Sequence, residues 1–203
     1  MNTPEKVNFL IAGVGGQGTL LASDIIALVG LHLGLEAKKS EVHGMAQRGG
    51  AVVSHVRWGQ RVYSPLCEKG TVDYFVAQEM LESLRWRDYL RPGGTVVLNL
   101  EKIPPLGTVM GNEVYPEEAR IRNALTERAG RVFAVDAAGE AERLGNLRVA
   151  NIILLGALAQ AMAMDAAPWL AVVEARVPAK YRDLNRRAFL LGYQGQWEVL
   201  TAK

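Results

Sequence analysis

The chain has 203 residues, 49% of them apolar and 22% charged, with a formal net charge of +2. This describes an ordinary globular protein, long enough for one domain spanning 1–203, with no electrostatic case for a nucleic-acid partner. The single cysteine, Cys67, excludes an internal disulfide framework and a self-contained iron–sulfur cluster, which needs about four thiolates.

The opening MNTPEKVN carries no apolar run, so no signal peptide is expected. Val7–Ala12 reads as a continuous apolar strand, and Leu21, Ile25, Leu28 and Val29 then recur at helical spacing. A short strand is expected around Leu35–Lys38 and another over Ala51–Trp58, with a hairpin-like turn at Gly59-Gln60. Asp73–Gln78 and Thr95–Leu100 are further strands, separated by a helix over Glu79–Leu90 that Arg91-Pro92-Gly93-Gly94 stops. Pro116-Glu117-Glu118 starts a helix, and Arg131–Val135 reads as the last strand. Helices follow over Gly145–Met164, Pro168–Arg176 and Ala179–Gly192. Within the first, the apolar run Ile152–Met164 would span roughly 20 Å, short of a bilayer core of roughly 30 Å. No membrane partner is expected, and the expected location is cytoplasmic. The alternation predicts an α/β, Rossmann-like, mostly parallel sheet with helices on both faces and a helical C-terminal cap.

The first chemical signal is the stretch NFLIAGVGGQGT. Gly13, Gly15 and Gly18 fit G-x-G-x-x-G between a strand and a helix, Gly16 opens the loop further, and Gln17 lies inside it. Residues without Cβ let the backbone approach a phosphate, and a helix N-terminus presents N–H groups to an anion. The same glycines also suit a tight turn with no ligand. A stand-alone NAD(P)-binding oxidoreductase expects an acid about 20 residues further on; here Lys38-Lys39 stand at that place, suited to a phosphate rather than a ribose diol.

The second signal is Ser40–Gly50, expected at the same sheet edge as the glycine loop. It holds Glu41, His43, Gln47, Arg48, Gly49 and Gly50, and Arg48 can clamp a phosphate, a carboxylate or a partner chain. Asn151, near the start of an apolar helix, either caps or cross-links backbone near the crevice or lies on the surface. His55, inside a strand, reads as a structural histidine and Cys67 as a free buried thiol; Trp58 and Trp86 read as core or interface residues. No serine or cysteine elbow accompanies the histidines, which disfavours a self-contained hydrolase.

Taken in order, GVGGQG, KKSEVHGMAQRGGAVVSHVRWG, VYSPL, YLRPGGTVVLN, LGNLRVANIILLGAL and LNRRAFLLGY cover nearly the whole chain. Together they resemble the gamma-type domain of the 2-oxoacid:ferredoxin oxidoreductases, most closely the beta subunits of the indolepyruvate branch. The resemblance implies a subunit inactive alone, beside a larger alpha subunit that carries thiamine diphosphate and [4Fe-4S] clusters, with ferredoxin reached through the complex. It implies oxidative decarboxylation of an aryl pyruvate with coenzyme A, and no cofactor bound by this chain alone. By analogy Gly13, Gly15, Gly16, Gln17, Gly18, Lys38, Lys39, His43, Gln47, Arg48, Gly49, Gly50 and Asn151 would face the partner or touch coenzyme A. A ligand-free assembly module is the remaining alternative.

Overall fold

Lys6–Val14 (β1) is buried at every position after Lys6, as a strand covered on both faces must be. The computed structural model describes residues 6–43, 50–110, 112 and 114–201. Its further strands are Glu36–His43 (β2), Ala51–Gly59 (β3), Val72–Ala77 (β4), Leu90–Asn99 (β5), Arg131–Val135 (β6) and Glu198–Thr201 (β7). They form one 7-stranded sheet in the order β2-β3-β1-β4-β5-β6-β7. The run β1, β4, β5, β6 is parallel. β3 lies antiparallel between β1 and β2, and β7 closes the far edge antiparallel to β6.

The helices are Thr19–His32 (α1), Met80–Trp86 (α2), Leu106–Val109 (α3), Glu118–Thr126 (α4), Ala137–Arg143 (α5), Ala150–Ala161 (α6), Ala166–Arg176 (α7) and Arg182–Gln194 (α8). Because strand side chains alternate, Phe9 and Ile11 join one core with α1 and α6, while Leu10 and Ala12 join another with Met80 and Ile121. Helices therefore cover both faces, as the alternation predicts. Trp58 anchors the first core: it is buried, and its indole N–H donates to the Ile26 carbonyl at 2.9 Å. The C-terminal helices are layered, with α6 on β5 and β6, α8 on α6, and α7 on α1. A Cβ on Gly192 would stand 2.8 Å from the Ile153 carbonyl carbon, so α6 and α8 touch backbone to backbone. No helix among the described residues is long and apolar enough to cross a membrane.

Several expectations need correction. The strand expected near Leu35–Lys38 runs on to His43, because it pairs with β3 along its whole length. No hairpin follows β3, since residues 61–71 form no strand. Pro92-Gly93-Gly94 does not end a helix but sits in a bulge of β5, where Gly93 adopts φ +73 and the register jumps between Val72↔Leu90 and Tyr74↔Thr95. The helix before it ends at Trp86 in a short 3-10 turn, Arg87–Tyr89. Arg131–Val135 is not the last strand: β7 follows it, and α5 was also missed, its seven residues being too few for a clear period. Leu28, expected on the buried face of α1, is exposed.

Candidate functional site

The parallel strands β1, β4 and β5 end together, and polar residues stand at each end. After β1 the chain turns through the glycine loop, with Gly16 at φ +110 and Gly18 at φ +79, a left-handed backbone that favours glycine. Gly18 then opens α1 without a side-chain cap. After β4 comes Gln78, buried, whose backbone N–H donates to the Ala12 carbonyl at 2.8 Å. At the end of β5 stand Asn99 and, two residues on, Glu101.

These groups form one network. Gln17 folds back so that its Oε1 accepts from the Val14 N–H at 2.7 Å, while its Nε2 donates to the Gln78 carbonyl at 2.9 Å and to Glu101 Oε2 at 2.8 Å. Asn99 Nδ2 donates to the same Gln78 carbonyl at 3.0 Å and to the same Glu101 oxygen at 3.2 Å. The Thr19 hydroxyl donates to Gln78 Oε1 at 2.6 Å, and Asn151 Nδ2 donates to the Gly18 carbonyl at 3.2 Å. A Cβ on Gly13 would stand 2.7 Å from Gln17 Oε1 and 2.8 Å from Gln78 Oε1, so the loop's first glycine makes room for both amides.

The network lines a cleft of ≈ 460 Å³ between the glycine loop, the strand ends and the start of α6, with Leu21, Ile103, Leu147 and Leu154 as its apolar wall. That size lies within the usual range for small-molecule sites. Two polar atoms on the cleft residues, Gln78 Nε2 and Asn151 Oδ1, are buried without a hydrogen-bond partner among the described residues. One wall is held from behind by Glu79, which caps α2 through the Glu82 N–H at 2.9 Å, accepts from the Ile103 N–H at 3.0 Å, and takes the Tyr115 hydroxyl as a further donor. Burial, and then the hydrogen bond and charge of Glu79, push the Tyr115 phenol far above its ordinary pKa.

Of the residues singled out in the sequence, Gly13, Gly15, Gly16, Gln17, Gly18, Gly50 and Asn151 come together: the Gly15 N–H donates to the Gly50 carbonyl at 2.9 Å. Gln47, Arg48 and Gly49, with the side chain of His43, lie outside the described residues. Lys38 and Lys39 do not join the cleft. In register they stand level with Asn8 and Phe9, six and five positions before Val14, roughly 17–20 Å along the strand. The physical reason is that β2 extends well past them, so the strand end expected at the lysines falls at His43. Lys39 is committed to Asp24 and to Glu41, the latter at 2.5 Å. Burial works against its charge, yet these partners hold its pKa above the ordinary value. His55 accepts from the Cys67 N–H at 3.3 Å and is buried, as a structural histidine.

Gln78, Asn99 and Glu101 were not foreseen. The available signal was positional: each stands at or just beyond the end of a parallel strand, at the edge where open α/β sheets hold ligands.

Residues 8–195 match the family described as pyruvate ferredoxin/flavodoxin oxidoreductase. The chain is 37% identical to indolepyruvate oxidoreductase subunit IorB of Pyrococcus horikoshii over 97% of this chain and 99% of that protein. It is 36% identical to the IorB subunit of Thermococcus kodakarensis over 97% and 98% of the two chains. Among solved structures, the 2-oxoglutarate:ferredoxin oxidoreductase of Magnetococcus marinus, with 2-oxoglutarate, coenzyme A and succinyl-CoA bound, shares the fold at a TM-score of 0.73 and 21% identity. The match covers 95% of this chain and 31% of that longer one. The strand order, the glycine loop and these end-to-end likenesses converge: the chain belongs to the pyruvate ferredoxin/flavodoxin oxidoreductase family.

Proposed function

We infer that the chain is the small subunit of a heteromeric 2-oxoacid:ferredoxin oxidoreductase of the indolepyruvate type. The complex decarboxylates an aryl pyruvate oxidatively with coenzyme A, giving acyl-CoA, carbon dioxide and reduced ferredoxin. The observation that carries this reading is the end-to-end correspondence with IorB subunits, which leaves no large part of either chain unmatched. Thiamine diphosphate and the [4Fe-4S] clusters belong to a larger partner subunit in the cytoplasm, and this chain contributes a face of the coenzyme A site.

The glycine-loop cleft supports that last assignment. It has room for part of a coenzyme-sized ligand, and its unmatched buried amides are of a kind that a ligand's polar groups would satisfy. The rest of such a ligand would extend from the cleft mouth toward the partner. A stand-alone NAD(P) enzyme fits less well. The strand beside β1 that would bring an acid to the ribose is here β3, which runs antiparallel and ends at the opposite edge.

The test is reconstitution. The chain and its larger partner are purified apart and assayed singly and mixed for indolepyruvate- and coenzyme A-dependent reduction of ferredoxin. Activity only in the mixture is the expected result. Tight NAD(P) binding by the chain alone, with no gain on mixing, would overturn the reading.

A further inference from the structure

We propose that the glycine-loop cleft recognises an uncharged amide or nucleobase edge of its ligand, and that Glu101 keeps phosphate out of it. This rests on the coenzyme A reading above and identifies which chemistry of that ligand enters the cleft.

The two buried amides carry the argument. Gln78 is 1% exposed and Asn151 3%. Each has one atom anchored, Gln78 Oε1 by the Thr19 hydroxyl at 2.6 Å and Asn151 Nδ2 on the Gly18 carbonyl at 3.2 Å. The remaining atoms, the donor Gln78 Nε2 and the acceptor Asn151 Oδ1, are unmatched. A fixed donor and a fixed acceptor thus flank the start of α1. A ligand that offers both an acceptor and a donor matches this pair, and carboxamides and base edges carry both. A phosphate dianion only accepts, so it would leave Asn151 Oδ1 facing negative charge.

Part of the loop's capacity for an anion is already used. The Val14, Gly15 and Gln17 N–H groups are already spent on Gln17 Oε1 at 2.7 Å, the Gly50 carbonyl at 2.9 Å and the Val14 carbonyl at 3.1 Å. The Glu101 carboxylate lies 2.8 Å from Gln17 Nε2 on the cleft wall, where like charge and a low local dielectric repel phosphate. Among the described lining residues the cation is Arg148, which is exposed and so suits phosphates held outside the cleft.

Coenzyme A has two sources of such an edge, the adenine base and the amides of its pantetheine arm. The assembled complex is titrated with adenosine, pantetheine and inorganic pyrophosphate, each as competitor of bound coenzyme A and each alone by calorimetry. One neutral fragment should compete, and its identity names the source. Asn151→Leu and Gln78→Met should each weaken that fragment roughly fivefold to tenfold while leaving pyrophosphate unchanged. Glu101→Gln should strengthen pyrophosphate about tenfold. Gln78→Glu keeps shape and the Thr19 bond but replaces the donor, and should give the same loss if the apolar variants fail to fold. Failure of both fragments to compete, or loss of pyrophosphate rather than fragment binding in the amide variants, overturns the proposal. If the complex neither binds nor uses coenzyme A, the coenzyme reading fails separately. The cleft proposal then stands if either fragment alone binds saturably and loses affinity in the amide variants, and falls if neither does.

Discussion

Asn151 on α6 donates its amide to the carbonyl of Gly18, 133 residues earlier, at 3.2 Å. The bond ties the loop after the first strand to the C-terminal helical layer, and it forms because Gly18 lacks a side chain at that spot. A Cβ there would collide with the Asn151 amide, at a φ of +79.

Gly18→Ala should therefore cost roughly 2 kcal/mol, combining about 1 kcal/mol of left-handed strain with a displaced hydrogen bond. Urea unfolding measures it. An unchanged midpoint would mean that Asn151 is not held against the loop.

Gly192→Ala should be worse. The atoms that its Cβ would strike, the Ile153 carbonyl and the Ala157 N–H, are backbone and cannot rotate aside. A loss of about 2–4 kcal/mol is expected, since relief requires moving α8 off α6. A thermal melt of the variant within 2 °C of the parent would contradict the packing.

The pH dependence of stability should carry the mark of His55. Burial holds its imidazole below the ordinary pKa of 6.5, so the fold favours the neutral ring while the unfolded chain takes up a proton near 6.5. The stabilising contribution is intact above that value and falls away as pH drops through it toward the lower folded-state pKa. Protonation also removes the Nδ1 lone pair that accepts the Cys67 N–H. His55→Gln should flatten the stability slope below pH 6.5, and an unaltered slope would assign it to another group.

Cys67 should resist alkylation. Burial, the largest influence, pushes its thiol up to about 11. At pH 8 the native chain should react with iodoacetamide at least about two orders of magnitude more slowly than a free cysteine, and at the ordinary rate in urea. Rapid labelling of the native form would show that the site opens.

Lys39→Met should leave the Michaelis constant for coenzyme A within about twofold of the parent in the assembled complex. Its ammonium is bound to Asp24 and Glu41 at mid-strand, far from the glycine loop. As a half-exposed ion pair it should contribute no more than about 1 kcal/mol to stability. A large rise in that constant would restore the lysines to the coenzyme site.

Elements with strong local signatures were legible in the sequence. β1 is a doubly covered apolar run, β6 matches residue for residue, and the acids at Glu117-Glu118 mark the start of α4. The insertion of β3 beside β1 was not legible, because strand order is decided by long-range pairing that no local period encodes. Half of the site was visible for a related reason. Glycines advertise backbone needs, whereas Gln78 and Glu101 look like ordinary polar residues until strand ends converge around them. The lysine pair misled because a two-residue charge motif says nothing about where its strand ends.

The insertion of β3 also constrains how the chain acquires its shape during synthesis. When the ribosome has released the chain only as far as His43, β1 and β2 have no ladder between them, and their final places lie about 10 Å apart, two strand spacings. Helix α1 can bridge that gap but cannot fill it. Neither strand can take its β3 neighbour until Ala51–Gly59 has been made, and that one strand then supplies the ladder of β1 on one side and of β2 on the other.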